Sequence, residues 1–265
     1  MTEEKTVLTD IDNRGVARIT LNRPEVRNAM NEVLIRDLTD AVDVVAADDG
    51  VRAVILTGRG KGFCAGGDLR WMRKTADCTV EENHADGQKL GWMLNKLNTM
   101  PKPIIGLING HAFGGGVGVV ACCDIAIAST GAKFSLSEVR LGLIPATIGP
   151  YVVRKIGQAH SRRYFLTAEI FDAHRAEAIS LVHAVAEPDQ LEAKGEEFVG
   201  HLLLGGPKAH GICKDLILQV SDREVDSDLI EWTSRLIADT RASAEGKEGS
   251  SAFLEKRKPA WQVSD

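Results

Sequence analysis

Two short glycine turns, each following a buried apolar run, constrain this chain more than any other feature. The first is Ala65-Gly-Gly-Asp68; the second is Gly114-Gly-Gly116, with Gly118 two residues on. Glycine costs about 0.5–1 kcal/mol in a helix relative to alanine, so four glycines heading an apolar stretch need a reason. Either they let a buried helix lie close to the strand before it, or a ligand needs bare N–H groups.

The hydrophobic pattern around both turns has a β-α-β rhythm. After the turn Asn13-Arg14-Gly15, residues 16–21 alternate as a strand. Asn31 then caps a helix whose Leu34, Leu38, Ala41, Val42 and Val45 fall on one face, and 51–57 form a short buried strand. Such a rhythm implies parallel pairing and an α/β class. Residues 70–74 read as helix, and a long helix over 80–100 is stopped by Pro101-Lys-Pro103. Strands follow at 104–108, 124–128 and 134–136, with the glycine-led helix after the first of them. From 149 onward helices dominate, at 151–156, 159–167, 173–179, 188–204, 207–220, 225–244 and 251–258, and one strand at 181–186 interrupts them. The expected organisation is an α/β core over residues 1–205 and a helical C-terminal region over 206–265, hinged at Gly205-Gly206-Pro207.

A net charge of −5 gives no general attraction to nucleic acid or anionic membrane. The start Met1-Thr-Glu-Glu-Lys-Thr lacks a secretory pattern and no apolar run has bilayer-spanning length, so the expected location is cytoplasmic. The five cysteines contain no CxxC pair and read as reduced thiols, while the seven histidines offer no HExxH spacing; no metal site is expected.

Gly116-Val-Gly-Val-Val-Ala121 satisfies the dinucleotide fingerprint, with Glu138 about twenty residues on, which keeps a nicotinamide-dependent oxidoreductase open. Against it, the acid in such a unit ends the second strand, whereas the strand here ends well before Glu138. A different geometry accounts for both turns together. On neighbouring parallel strands they would lie at the carboxyl edge of the sheet, each aiming one N–H, from Gly67 and Gly115, at a shared point. That arrangement is an oxyanion hole, strengthened by the positive end of the helix that starts near Gly115.

Six stretches resemble the crotonase (enoyl-CoA hydratase/isomerase) superfamily. They are Asn22-Arg-Pro-Glu-Val-Arg-Asn-Ala29, Phe63-Cys-Ala-Gly-Gly-Asp-Leu69, Asn109-Gly-His-Ala-Phe-Gly-Gly-Gly116, Cys123-Asp-Ile-Ala-Ile-Ala128, Phe134-Ser-Leu-Ser-Glu-Val-Arg-Leu-Gly-Leu-Ile-Pro145 and Ala252-Phe-Leu-Glu-Lys-Arg-Lys-Pro259. They keep the family order and cover nearly the whole chain. The resemblance implies a ββα-spiral core with a C-terminal helical region that builds homotrimers, often paired into hexamers. It implies an acyl-CoA substrate whose thioester carbonyl accepts hydrogen bonds from Gly67 and Gly115. No separate cofactor is implied, since coenzyme A is part of the substrate.

By the same resemblance Val26, Arg27, Ala29, Ala65, Asp68 and Leu69 wrap the adenine and pantetheine of coenzyme A. Lys256, Arg257 or Lys258 reach its phosphates from the same or a neighbouring subunit; the alternative for this basic run is a solvated terminal helix. Trp71, Met72, Phe113 and Tyr151 are candidates for the acyl pocket, or else core formers. Cys64 and His111 have neither the spacing nor the family chemistry of a thiol nucleophile and its base.

Two-carboxylate hydratases of the family carry one glutamate shortly after the glycine triplet and one before Leu-Gly-Leu-Ile-Pro. The second is present as Glu138; the first position is Gly118. Hydration needs a water at the β-carbon, a base for it and a proton for the α-carbon, which one carboxylate supplies in turn. A single glutamate at this position is also the pattern of enoyl-CoA isomerases, and thioester hydrolases share the scaffold, as does a non-catalytic coenzyme A binder. The stretches 112–118, 121–124 and 140–154 look like bacterial hydratases of branched glutaconyl-CoA esters, including 3-methylglutaconyl-CoA and its carboxygeranoyl-derived relative. The expected activity is therefore an enoyl-CoA hydratase of that kind, with Arg70, Arg73 and Arg154 as candidates for a distal carboxylate. Asp77, Glu81, Glu82 and His84 fall in a segment with which the family covers its site. The loop 141–149 has no carboxylate, which argues against a nucleophilic dehalogenase.

Overall fold

The computed structural model describes residues 5–262; Met1 to Glu4, on which the absence of a secretory leader was read, lie outside them. The chain opens with an antiparallel hairpin of β1 (Val7–Ile11) and β2 (Val16–Leu21). Its turn is held by Asp12, whose carboxylate accepts the N–H of both Arg14 and Val16 at 2.9 Å. Helix α1 (Glu32–Ala47) starts where expected: the Asn31 side chain accepts the Leu34 N–H, and Leu34, Leu38, Val42 and Val45 are buried.

A β-β-α unit then repeats three times. The first runs β3 (Ala53–Gly58), β4 (Gly62–Cys64), α2 (Leu69–Ala76) and α3 (Val80–Thr99). The second runs β5 (Ile104–Ile108), β6 (His111–Phe113) and α4 (Gly115–Cys122), and the third β7 (Ile125–Ser129), β8 (Lys133–Ser135) and α5 (Gly149–Thr167). The chain continues through β9 (Phe171–Asp172), α6 (Ala173–Ala178), β10 (Ala184–Ala186) and α7 (Leu191–Leu204) to α8 (Pro207–Val220), α9 (Ser227–Ala242) and α10 (Ala244–Leu254).

Each unit advances one strand in two sheets at once. The large sheet has the order β1-β2-β3-β5-β7-β10 and is parallel beyond β1; the small one has the order β4-β6-β8-β9 and is parallel up to β9. This is the expected ββα spiral. It also removes the dinucleotide reading, because the strand order never reverses and so provides no switch-point crevice of the Rossmann kind. One face of the large sheet packs Val16, Ile55, Ile105, Leu107 and Ile127 against Leu191 and Val199 of α7. The other face joins the main core, with α1, α3, α4 and α5.

Some elements differ from the sequence reading. β1 was not anticipated because four of its five residues are exposed, so it shows no apolar alternation. The helices read at 151–156 and 159–167 are both present, as the two halves of α5 on either side of a break at Gly157, which has φ +75°. The stretch 225–244 divides at Ser243, whose hydroxyl accepts the Gly246 N–H at 3.0 Å and starts α10 earlier than 251. Among the described residues no helix is long and apolar enough to cross a membrane.

Two polar clasps join the helical end of the chain to the rest. Arg52 donates to the carbonyls of Trp261 (2.7 Å), Leu203 (3.1 Å) and Gly205 (2.9 Å). Lys214 on α8 pairs with Asp124 at 2.7 Å and donates to the Lys102 carbonyl at 3.1 Å.

Candidate active site

The site is built on three chain segments that backbone hydrogen bonds lock together. Residues 22–30 form a tight loop in which Arg27 and Asn28 adopt left-handed conformations (φ 52° and 56°). Asn28 is fully buried and makes that conformation affordable: its amide donates to the carbonyls of Arg59 (3.0 Å) and Gly62 (2.8 Å) and accepts the Arg23 N–H at 2.8 Å. The loop is laced to the first glycine turn by Ala65 N–H to Arg27 O (3.0 Å), Met30 N–H to Gly66 O (2.7 Å) and Asp68 N–H to Met30 O (2.8 Å).

Asp68 does structural work at this junction. It is the N-cap of α2, accepting the N–H groups of Arg70 (2.8 Å) and Trp71 (3.4 Å), and it pairs with Arg23 at 2.9 Å. The other arm of Arg23 donates to the Ala29 carbonyl. Burial pushes the Asp68 carboxyl up, but these hydrogen bonds and the guanidinium outweigh it and hold the group below the usual carboxylate range.

The second turn lies beside the first. Gly114 has φ +47°, ψ −117° and donates its N–H to Ser135 O at 2.9 Å, which turns the chain from β6 into α4. No side chain caps α4. The Gly67 and Gly115 N–H groups have no acceptor among the described residues. The parallel bridge between Met30 and Gly67 uses the groups on either side of Gly67 and leaves its own N–H pointing away.

Glu138 follows β8, at the head of a single 3-10 turn, Glu138–Leu141. A Cβ at Gly114 would lie 3.1 Å from Glu138 Oε1 and 3.9 Å from Gly66 Cα, so the glutamate and both turns converge at Gly114. Glu138 Oε2 is buried without a hydrogen-bond partner among the described residues. Burial raises the Glu138 pKa above its ordinary value, against a smaller opposing effect of its own backbone N–H. A carboxyl so placed is suited to taking up and returning a proton.

Position 118 has no room for a side chain unless Ile148 moves. A Cβ there would run into Ile148 Cγ2, lie 2.8 Å from Ile148 Cβ and meet Leu94 at 3.6 Å. An isoleucine at the start of α5 thus fills the space where the family's two-carboxylate members were expected to carry an acid.

Of the other candidate residues, Trp71 and Met72 lie against the Gly67 turn, where a Cβ would lie 3.3 Å from the Met72 sulfur and 3.9 Å from the Trp71 ring. Phe113 is half-buried and stacks on His111 with centroids 5.7 Å apart. Val26, Arg27 and Leu69 are exposed around the laced loop, Ala65 is half-buried and the Ala29 side chain is buried. Tyr151 and Arg154 line a groove of about 810 Å³ with Asn95, Thr99 and Leu218, whose walls include none of Gly67, Gly115 and Glu138. Arg70 and Arg73 are exposed on α2. Lys256 is exposed just beyond α10, a helix packed on α9, and Arg257 is taken up by Glu248 and Glu255. In the covering segment Glu82 is bound in a capping box with Thr79, while Asp77, Glu81 and His84 are exposed.

Cys64 is buried, which pushes its thiol up to about 12, and the His111 Nδ1 is occupied by the Lys133 N–H at 3.1 Å. The two therefore do not form a nucleophile and base. No group of three or more His, Cys, Asp or Glu among the described residues is placed to hold a metal ion. The sequence reading missed Arg23, Met30 and Ile148 as parts of this site; the first two lie in or beside the quoted loop but betray no chemistry of their own. Asn28 was visible only as part of that loop, although its residue type is the one most tolerant of a left-handed turn after glycine.

Residues 12–264 match the enoyl-CoA hydratase/isomerase family model. The chain is 33% identical over 245 residues to a crotonyl-CoA hydratase of Syntrophomonas wolfei, covering 92% of this chain and 93% of that one. It is 33% identical over 249 residues to a short-chain-enoyl-CoA hydratase of Clostridium acetobutylicum, covering 92% of each. Among solved structures, an enoyl-CoA hydratase from Shewanella pealeana superposes with a TM-score of 0.94 at 41% identity, over 97% of this chain and 96% of the other.

Proposed function

The chain belongs to the enoyl-CoA hydratase/isomerase family, and from that premise we propose that it adds water across the α,β double bond of an acyl-CoA thioester. One observation carries this reading: the N–H groups of Gly67 and Gly115 and the Oε2 of Glu138 are unpartnered polar atoms gathered about one turn. A thioester carbonyl set against the two amides leaves its α- and β-carbons within the domain of Glu138.

In the proposed reaction the Glu138 carboxylate takes a proton from water as the water oxygen bonds to the β-carbon. Electrons of the double bond move into the carbonyl, and the resulting enolate oxygen is held by Gly67 and Gly115. Glu138 then returns that proton to the α-carbon, so that one carboxylate carries one hydrogen of the water to Cα while the other stays on the new β-hydroxyl. The two amides act on the charge that develops, and loss of one such donor costs roughly 10²–10³ in kcat in comparable sites. Being backbone groups, they survive side-chain deletion.

In the same reading Val26, Arg27, Ala29, Ala65, Asp68 and Leu69 wrap the adenine and pantetheine, Asp68 by fixing the shape of the first turn, since its carboxylate, N–H and carbonyl are all engaged. Trp71 and Phe113 line the acyl pocket. Residues 206–265 form the oligomerisation region of a homotrimer or a hexamer, and Lys256 reaches the coenzyme A phosphates of a neighbouring subunit. The protein acts in the cytoplasm. The favoured substrates are branched glutaconyl-type esters, in keeping with the sequence of 140–154; the exposed Arg70 and Arg73 supply cations for a distal carboxylate.

A second reading, enoyl-CoA isomerisation, is favoured by the contact of Ile148 with Gly118, which leaves Glu138 without a carboxylate partner at that position. A single base moving a proton from Cα to Cγ needs no second acid. Crotonyl-CoA, 3-methylglutaconyl-CoA and a 3-enoyl-CoA separate the readings. Loss of conjugated enoyl absorbance from either of the first two supports hydration, its growth from the third supports isomerisation, and release of free thiol supports hydrolysis. Full turnover by Glu138→Gln would overturn the role given to the glutamate in both hydration and isomerisation.

A further inference from the structure

We propose that Met30 is a positioning residue that holds the Gly67 and Gly115 amides on one oxygen atom. The inference rests on the oxyanion reading above and adds a device for its alignment. The two amides belong to separate segments, and the strand pairing that brings them together ends before either glycine, at Cys64 opposite Ala112. Beyond that pair α2 and α4 begin, and the spacing of the two N–H groups needs another support.

Met30 touches both. Its backbone is zipped to the first turn through Met30 N–H to Gly66 O and Asp68 N–H to Met30 O, which bracket Gly67. Its thioether lies flat against the second: a Cβ at Gly115 would sit 2.8 Å from Met30 Sδ and 3.6 Å from its methyl carbon. The residue is 1% exposed, so the sulfur has no room to retreat into solvent. A thioether is also a weak acceptor, so it supports the Gly115 backbone while leaving the amide for a stronger acceptor. The length of one side chain therefore sets the separation of two N–H groups that no strand pairing fixes.

The test uses a conjugated cinnamoyl-CoA as probe, because hydrogen bonds to its carbonyl redden its absorbance in proportion to the polarisation they impose. The host is the Glu138→Gln variant, which keeps both amides and suppresses turnover; probe occupancy is checked by equilibrium dialysis. The expected result is a red shift in Glu138→Gln that falls by half or more when Met30→Ala is added and is retained when Met30→Leu is added. With Glu138 intact, Met30→Ala is expected to lower kcat about 10- to 100-fold, in line with the cost of misplaced catalytic groups, while KM changes less than about threefold. If Met30→Ala does not fold, Met30→Val, which also cannot reach Gly115, is read in its place.

A full red shift and unchanged kcat in the alanine or valine variant, even with a lowered Tm, would make Met30 a packing residue only and overturn the proposal. Absence of any red shift in Glu138→Gln with the probe bound would overturn the oxyanion reading itself, and the role of Met30 with it.

Discussion

Ile148 packs its branched side chain onto the bare face of Gly118, so closely that a Cβ at 118 would lie 2.8 Å from the Ile148 Cβ. Grafting the second acid by Gly118→Glu should therefore fail on packing before it can be judged on chemistry. Overpacking of this kind costs typically about 1–3 kcal/mol. Thermal denaturation of Gly118→Glu, Ile148→Ala and the pair should give a favourable coupling of at least about 1 kcal/mol. Additive losses would mean that the two positions do not compete for space.

Glu138 links activity and stability through its protonation. Burial places its folded pKa above the unfolded one, so its contribution to stability is full below the unfolded pKa and is lost as pH rises through the folded value. At neutral pH the ionised carboxylate is thus a net cost. Glu138→Gln should raise Tm at pH 7, by about 2–4 °C per kcal/mol relieved, and the gain should shrink toward pH 4. Activity of the parent should fall on the acid side with a midpoint above the ordinary glutamate value, as the base becomes protonated.

Asp68 allows cap and charge to be separated. Asp68→Ala removes the α2 cap and leaves Arg23 without its carboxylate in a site where the arginine side chain is 16% exposed, an expected loss of about 2–4 kcal/mol. Asp68→Asn keeps a capping oxygen and should lose roughly half as much. Urea unfolding gives both values; equal losses would assign the whole effect to the ion pair.

Thiol labelling tests the exclusion of cysteine chemistry. Iodoacetamide at pH 8 should modify exposed Cys213 and half-buried Cys78, while Cys64, Cys122 and Cys123 stay unmodified until denaturant is added, because burial keeps them as thiols. Peptide mass spectrometry reads each site. Rapid native labelling of Cys64 with loss of turnover would reopen the thiol.

The parts of this fold that were legible in the sequence are those with local signatures. The apolar face of α1 emerges from periodicity, the buried runs of β3, β5 and β7 from short apolar stretches, and the Asn31 cap and the stop after α3 from the residue types placed there. The small sheet is harder to read, because β4, β6 and β9 are two or three residues long and owe their pairing to neighbours in space. α10 was masked at its start by Gly246 and Gly249, poor helix formers that a serine cap and packing on α9 override. For the proposed site, the motifs point to Gly67, Gly115 and Glu138, and the structure brings the turns that carry the two glycines and the glutamate together at Gly114. Ile148 could not be paired with Gly118, since thirty residues separate them and neither type announces the contact.

The Arg52 clasp bears on the order in which the molecule assembles. Its bond to the Trp261 carbonyl spans 209 residues, so the guanidinium just before β3 completes its set of acceptors only when almost the entire chain has turned back. Closure of so long a loop belongs among the last events of folding, after the spiral has formed around it. Contacts made that late brake the reverse reaction, so loss of the clasp in Arg52→Ala is expected to speed unfolding more than it slows folding in stopped-flow measurements.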